Sequence, residues 1–259
     1  MIELKTEEEI ELLRENNILV SKTLAEVAKH IKVGISTIEL DKIAEEYIRS
    51  NGAVPAFLGY GDFPGTLCVS INDEVVHGIP SKDRVLKEGD IVSVDCGTLM
   101  KGFYGDSAYT FKVGEVGHEV TRLLEVTKES LLKGVEKAVA GNRVGDISYA
   151  VQQHAEANGF SVVRELVGHG LGRKLHESPE VPNYGMRGRG PILRKGMVIC
   201  IEPMINLGKK GVVFSDVDGW TVTTADHKPS AHFELAVAIT SGLPDVLSTF
   251  SYIDTITNN

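Results

Sequence analysis

Cysteine is scarce in this chain. Its three residues, Cys68, Cys96 and Cys200, make an odd set that cannot form a disulfide framework, so a reducing, cytoplasmic compartment is the expectation. No apolar run reaches the roughly 18 residues that a membrane helix needs, which excludes a membrane partner. The start, MIELKTEEEIELL, has neither a basic region nor an apolar one and does not read as a secretory signal. Positive charge is short as well: 27 Lys and Arg against 36 Asp and Glu leave 27 − 36 = −9. That balance argues against a specific nucleic acid as the main ligand. Low-complexity and linker-like stretches are missing, and 42 % of the 259 residues are hydrophobic. Disorder is thereby excluded, and the chain is long enough for a sizeable core. The acidic balance suits a protein that uses carboxylates to bind cations.

Self-similarity organises what is there. Residues 86–95 read LKEGDIVSVD and residues 193–202 read LRKGMVICIE. Leu86 matches Leu193, Gly89 matches Gly196, and Asp95 matches Glu202, an offset of 202 − 95 = 107. Gly34 and Gly141, also 107 apart, each precede a helical pattern, and these patterns end at Asn51-Gly52 and Asn158-Gly159. Two related αβ halves follow, roughly 5–115 and 116–245, packed as a single domain over 1–259.

Thr6 with Glu9 makes a capping box for a first helix, with Ile10, Leu13, Val20, Leu24, Val27 and Ile31 on its apolar face and Asn17 interrupting. Ser36 with Glu39 caps a second, which Gly52 stops. Helices are expected over 117–140 and 146–157. Strands are expected over 67–71, 91–96, 103–112, 161–167, 197–204, 211–214 and 231–240. Helix pairs followed by runs of strands define an α+β class, with helices covering one face of a largely antiparallel sheet.

Four carboxylates stand inside apolar strand-like runs: Asp95 in IVSVDCG, Asp106 in FYGDSAYTF, Glu202 in VICIEPM and Glu234 in AHFELAVAI. Acids are poor strand residues and are rarely buried unpaired. A tight turn around Met100-Lys101 pairs residues whose numbers sum to 201, which sets Asp95 opposite Asp106. Such neighbours lie about 4.5–5.5 Å apart at Cβ. Two like charges at 4 Å repel by roughly 4 kcal/mol at an effective dielectric near 20, so one is protonated or a cation sits between them. His169, flanked by glycines in LVGHGLG, adds an imidazole. Two divalent cations would neutralise four carboxylates. Oxygen ligands with one imidazole suit Mn, Fe or Co, and Zn less exclusively. Metal pairs about 3.5–4 Å apart serve hydrolases, aminopeptidases among them.

The motifs SINDEVVHGIP (70–80), VDCGTLMKGFYGDSAYTF (94–111), GHGLGRKLHESP (168–179), IEPMIN (201–206), DGWTVTT (218–224) and SAHFE (230–234) closely resemble the type I methionine aminopeptidases of metallopeptidase family M24. The resemblance runs from about residue 3 to 245. It implies the pita-bread (creatinase/aminopeptidase) fold, with two pseudo-symmetric αβ halves and a curved, largely antiparallel sheet. It also implies an enzyme with two divalent metal ions (Co, Mn, Fe or Zn) that removes the initiator methionine from nascent chains when the second residue is small. A hydroxide held by the metals would attack the scissile carbonyl.

Position by position, Asp95 looks like the ligand that chelates one metal with both oxygens. Asp106 and Glu234 look like the bridging pair, and His169 and Glu202 like the remaining ligands of the other metal. Glu202 is also similar to the residue proposed to carry the proton to the leaving amine. His77 looks like the residue at the scissile amide and His176 like the one stabilising the oxyanion. Tyr60, Phe63, Cys68 and Trp220 fall where the family builds its methionine pocket. Read alone, His77 could belong to a Gly-Ile-Pro turn, His176 could cap Glu177, and Cys68 and Trp220 could be core.

This sequence departs from familiar members at Phe57, Leu175 and Leu235, and Cys96 would make the site oxidation-sensitive only if its thiol reached solvent. The gap from His169 to Glu202, 202 − 169 = 33, leaves no room for the helical subdomain of type II enzymes. Prolidases typically add a large N-terminal domain, and here the homologous region starts almost at once. A binding module that has lost its metal ligands would lack some of the five, which are all present. The role implies transient ribosome contact, and no exposed apolar stripe argues against a monomer. A start of Met1-Ile2 should keep its methionine.

Overall fold

The computed structural model describes residues 2–257, so the fate of Met1 lies outside the described residues. Helix α1 (Glu7–Ala28) begins where the capping box predicts: the Thr6 hydroxyl accepts the Glu9 N–H, and the Glu9 carboxylate accepts the Thr6 N–H. Glu7, Glu8 and Glu9 sit at its positive end. Leu13, Val20, Leu24 and Val27 are buried as expected, whereas Ile31 lies beyond the helix end. The interruption at Asn17 is a bracket. Its side chain donates to Leu13 O (2.8 Å) and accepts the Asp106 N–H (3.1 Å), fixing the neighbouring strand.

Helices α2 (Thr37–Ser50) and α4 (Val144–Ala157) each have 14 residues, and their starts differ by 144 − 37 = 107. Between them, α3 (His118–Val135) is shorter than the sequence pattern and ends before residue 140. The glycine pairs agree in backbone: φ is 90° at Gly34 and 95° at Gly141, 86° at Gly89 and 91° at Gly196. Isolated bridges Ser36–Val85 and Arg143–Ile192 repeat the offset. The fold is thus α+β with two pseudo-symmetric αβ halves. A short α5 (Ser251–Thr257) follows.

Every pairing within the named strands is antiparallel. In the first half, Ile91–Met100 lies between Leu67–Ile71 and Phe103–Lys112. In the second half, Val198–Ile201 lies between Leu235–Ala238 and Gly168–Gly170 in a five-stranded sheet. Helix α1 packs on the first sheet, and α3 packs on α4 and on the strands Met204–Asn206 and Ser230–His232. Leu24, Leu40, Ile48, Val94, Leu131, Ile147 and Ile199 fill the core between helices and sheets. Among the described residues, no helix is long and apolar enough to cross a membrane.

The central hairpin corrects the expected register. Met100 faces Phe103, so paired numbers sum to 203, not 201; Asp95 faces Ala108 and Asp106 faces Gly97. The cause is the two-residue turn Lys101-Gly102, with φ of 53° and 79°. Two left-handed central residues match the twist of a hairpin, and the Gly supplies one without strain. A slip of two residues keeps both acids on one face, now as diagonal neighbours.

The second half also breaks its strands more often than expected. The 197–204 run divides into Val198–Ile201 and Met204–Asn206 around Pro203, which has no N–H to give a ladder. The 231–240 run divides into Ser230–His232 and Leu235–Ala238. Glu202 and Glu234 stand in these two breaks, where the chain leaves one sheet for the next.

Candidate metal centre

A cavity of about 500 Å³ opens between the halves. All eleven residues singled out from the sequence line it: Tyr60, Phe63, Cys68, His77, Asp95, Asp106, His169, His176, Glu202, Trp220 and Glu234. Cys68 reaches it because it pairs across the ladder with Asp95. The halves are joined at the cavity by backbone: the Glu234 N–H donates to Ala108 O (3.0 Å), and the Ser107 hydroxyl donates to Glu234 O (2.7 Å). The glycines around His169 are needed for space. A Cβ on Gly168 would meet Cys200 O at 2.4 Å, and one on Gly170 would meet Ser178 O at 2.5 Å.

Burial dominates the electrostatics. It pushes Asp95 up to about 6. It raises Asp106 well above the usual carboxylate range, with Glu234, Asp95 and Glu202 adding repulsion. Glu202 is raised by burial and then Asp95, and Glu234 by burial and then Glu202 and Asp95. Histidines, not Lys or Arg, stand beside these acids. His169 Nε2 is 3.7 Å from Asp106 Oδ2 and 3.5 Å from Glu202 Oε1, and His232 Nε2 is 3.6 Å from Glu202 Oε2.

The donor set fits divalent cations. Asp95 Oδ1, Asp106 Oδ1 and Glu234 Oε1 are buried with no hydrogen-bond partner. His169 Nδ1 lies 2.9 Å from Gly170 O and donates to it, which leaves the Nε2 lone pair facing the acids. Ligand atoms of Asp106, His169, Cys200 and Glu234 lie within 4.8 Å of one another. Three of the five expected ligands thus converge tightly, while Asp95 and Glu202 line the same cavity outside that group. Cys200 is an addition to a set expected to be free of sulfur. Its thiol is pushed up by burial and by the nearby acids, Glu234 first among them.

Burial disfavours the charged form of the cavity's histidines as well. His77 is lowered to about 4 by burial, then by His232 and His176; His169 is lowered to about 3 by burial and then His176. Burial also lowers His176. His77 has φ of 60°, a left-handed conformation that a non-glycine residue rarely adopts. His176 does not cap Glu177: its Nδ1 is 2.9 Å from the Tyr60 hydroxyl, while Glu177 pairs with Lys5. Phe63 meets Trp220 edge-on at 5.1 Å, and Trp220 meets His77 at 6.1 Å. Phe57 and Leu175 line the wall as well, so these two sequence departures bear on pocket shape. Cys96 is fully buried, so its thiol does not reach solvent.

Sequence reasoning missed His232, Cys200 and Asn17. His232 and Cys200 lie within two residues of expected ligands, the one signal that could have found them. Asn17 was visible as an interruption, with nothing to say what it holds.

An aromatic-walled cavity lined by unpaired carboxylates and histidines defines a metal-dependent hydrolase on a two-halved αβ scaffold. The profile of metallopeptidase family M24 matches residues 11–241. The methionine aminopeptidase of Clostridium acetobutylicum is 51 % identical over 248 residues, covering 96 % of this chain and 99 % of that protein. The crystal structure of methionine aminopeptidase from Rickettsia prowazekii superposes with a TM-score of 0.95 at 40 % identity, over 96 % of this chain and 100 % of that one. The prolidase from Pyrococcus horikoshii shares the fold alone, at 23 % identity and a TM-score of 0.76, with 95 % of this chain and 63 % of that one covered. The chain belongs to metallopeptidase family M24, among its methionine aminopeptidases.

Proposed function

We propose that this chain removes the N-terminal methionine from nascent proteins whose second residue is small. The observation that carries the reading is the meeting of buried, unpartnered carboxylates from both halves in a cavity walled by Tyr60, Phe63 and Trp220. Asp95, Asp106, His169, Glu202 and Glu234 would hold two divalent ions, drawn from Co, Mn, Fe or Zn. When bound, such ions polarise the scissile carbonyl and acidify a water.

The remaining work falls to side chains of this chain. Phe63, Trp220, Tyr60 and Cys68 seat the methionine, because aromatic faces and a soft sulfur suit a thioether. His77 meets the scissile amide. His176 donates to the developing oxyanion from Nε2, its Nδ1 accepting the Tyr60 hydroxyl proton 2.9 Å away in that tautomer. Glu202 moves the water proton to the leaving amine, as a carboxylate at the rim of the ligand set can. The halves, roughly 5–115 and 116–245, act as one catalytic domain spanning 1–259. Three buried, unpaired cysteines agree with the cytoplasm. The protein works as a monomer in transient contact with the ribosome.

The test is peptide cleavage by mass spectrometry after chelator treatment and addition of Mn, Fe, Co or Zn. Met-Gly, Met-Ile, Ala-Pro and Gly-Pro peptides are offered side by side. Metal-dependent loss of methionine from the Met-Gly peptide alone is the expected result. Cleavage before proline, or none with metal bound, overturns the reading.

A further inference from the structure

His232 is the one histidine of the cavity without an assigned role. It sits at the end of the strand Ser230–His232, opposite Met204 on the strand that follows Glu202. Its backbone is clamped from the first half. The His232 N–H donates to Thr110 Oγ1 (2.9 Å), and the same hydroxyl donates to His232 O (2.7 Å). Ser93 Oγ, 2.8 Å from Thr110 Oγ1, completes that hydroxyl's bonding. A backbone held on both sides gives the imidazole little freedom to swing.

The side chain is 2 % exposed, and Nε2 is buried with no hydrogen-bond partner. A buried polar nitrogen left unpaired is costly, and few survive in folded proteins. The carboxylate oxygen beside it is Glu202 Oε2, at 3.6 Å. That is longer than a hydrogen bond, as is common for catalytic contacts that tighten only around substrate. The other oxygen, Oε1, faces His169 Nε2, which has no proton to give because His169 Nδ1–H is bonded to Gly170 O. Glu202 therefore turns Oε1 towards the place where the ions and the reacting water would sit, and has Oε2 in reach of a donor.

We propose that His232 is a positioning residue for Glu202. Its Nε2–H holds Oε2 and thereby aims Oε1 at the reacting water and the leaving amine. This rests on the functional reading above, in which Glu202 carries the proton. The role acts through Glu202 and requires no contact between His232 and substrate. The Thr110 clamp gives the arrangement a second consequence: the first half orients the proton carrier of the second.

The experiment compares wild type, His232→Leu and His232→Gln on a Met-Gly peptide, with Mn content counted on each purified protein and thermal unfolding recorded. Glutamine keeps an N–H near the position of Nε2, whereas leucine fills the space without a donor. Expected are unchanged Mn stoichiometry in both variants, a kcat about 10–100-fold lower in the Leu variant, and KM within about twofold. The Gln variant recovers kcat to within about threefold of wild type. If the Leu variant does not fold, His232→Met replaces it with the same expectations. A Leu or Met variant within about threefold of wild type in kcat overturns the proposal, as does a Gln variant equally impaired. Loss of Mn in the Leu or Met variant overturns it too, because His232 would then be a ligand. A wild type that binds Mn and releases no methionine overturns the functional reading, and this proposal with it.

Discussion

The two halves hold their acids in different ways. In the first, Asp95 and Asp106 sit inside two ten-residue strands, zipped from Ile91–Lys112 to Met100–Phe103. In the second, Glu202 and Glu234 occupy breaks between strands of three and four residues. A long ladder fixes side-chain direction by itself. A break does not, and the second half takes its anchoring from the first: Ala108 and Ser107 hold the backbone of Glu234, and Thr110 holds that of His232. A shared repeat has become a rigid platform and a set of loops fitted to it. The site exists only where the two meet.

Removing an acid from either side should break this partnership most. Asp106→Ala or Glu234→Ala is expected to lower turnover by more than about 100-fold, beyond the usual effect of an outer partner, together with metal content. Activity within about tenfold of wild type in either variant would contradict the shared site. His77→Ala sharpens the comparison, because His77 belongs to the first half but lies outside the ligand set. Turnover should fall about 100-fold, the scale of a single positioned proton or hydrogen-bond donor, with metal content unchanged. Metal loss there would show that the role is wrong.

Titration separates metal-free from loaded protein. The four acids have folded pKa values above their unfolded ones, so protonation favours the metal-free fold. For Asp95 this stabilisation is complete below about 3.8 and lost as pH rises through about 6; for Asp106, Glu202 and Glu234, also raised by burial, it is likewise lost as pH rises. His77 and His169 run the other way: their stabilisation is present above 6.5 and lost as pH falls through about 4 and about 3. Through the window above pH 6.5, therefore, these two histidines add no further change and the acids set the sign. The Tm of chelator-treated protein should fall across that window, and bound metal should abolish the fall. A flat metal-free profile would contradict the burial of the acids.

The smallest effect compares one position in both halves. Gly89 and Gly196 share a left-handed φ, and alanine strains both by about 1–2 kcal/mol. At Gly196 the added Cβ would also meet Lys5 O at 2.8 Å, against 3.7 Å to Glu115 O at Gly89. Gly196→Ala should be the more destabilising in urea, by about 1 kcal/mol. Equal losses would mean that the N-terminal segment does not brace the second half.

Much of this was legible because it is local. The capping boxes at Thr6–Glu9 and Ser36–Glu39 set the helix starts, and the strand Leu67–Ile71 matches its apolar run. Acids inside apolar strands marked the site because burial without a partner is unfavourable anywhere in a chain. The hairpin register slipped because Lys101 adopts a left-handed φ that its side chain does not announce. The break at Pro203 was legible in its missing N–H, whereas the one at Phe233-Glu234 lies in a run that is apolar but for the glutamate. His232 was invisible for a related reason: a histidine next to phenylalanine in an apolar run reads as core, and its orphaned nitrogen exists only once Thr110 has fixed the backbone.

The most direct measurement is a crystal structure of the cobalt-loaded protein with anomalous scattering recorded at the cobalt edge. Two ions about 3.5–4 Å apart, with Asp106 from the first half and Glu234 from the second touching both, are the predicted result. Cobalt held by residues of one half alone, or bound outside this cavity, would contradict it.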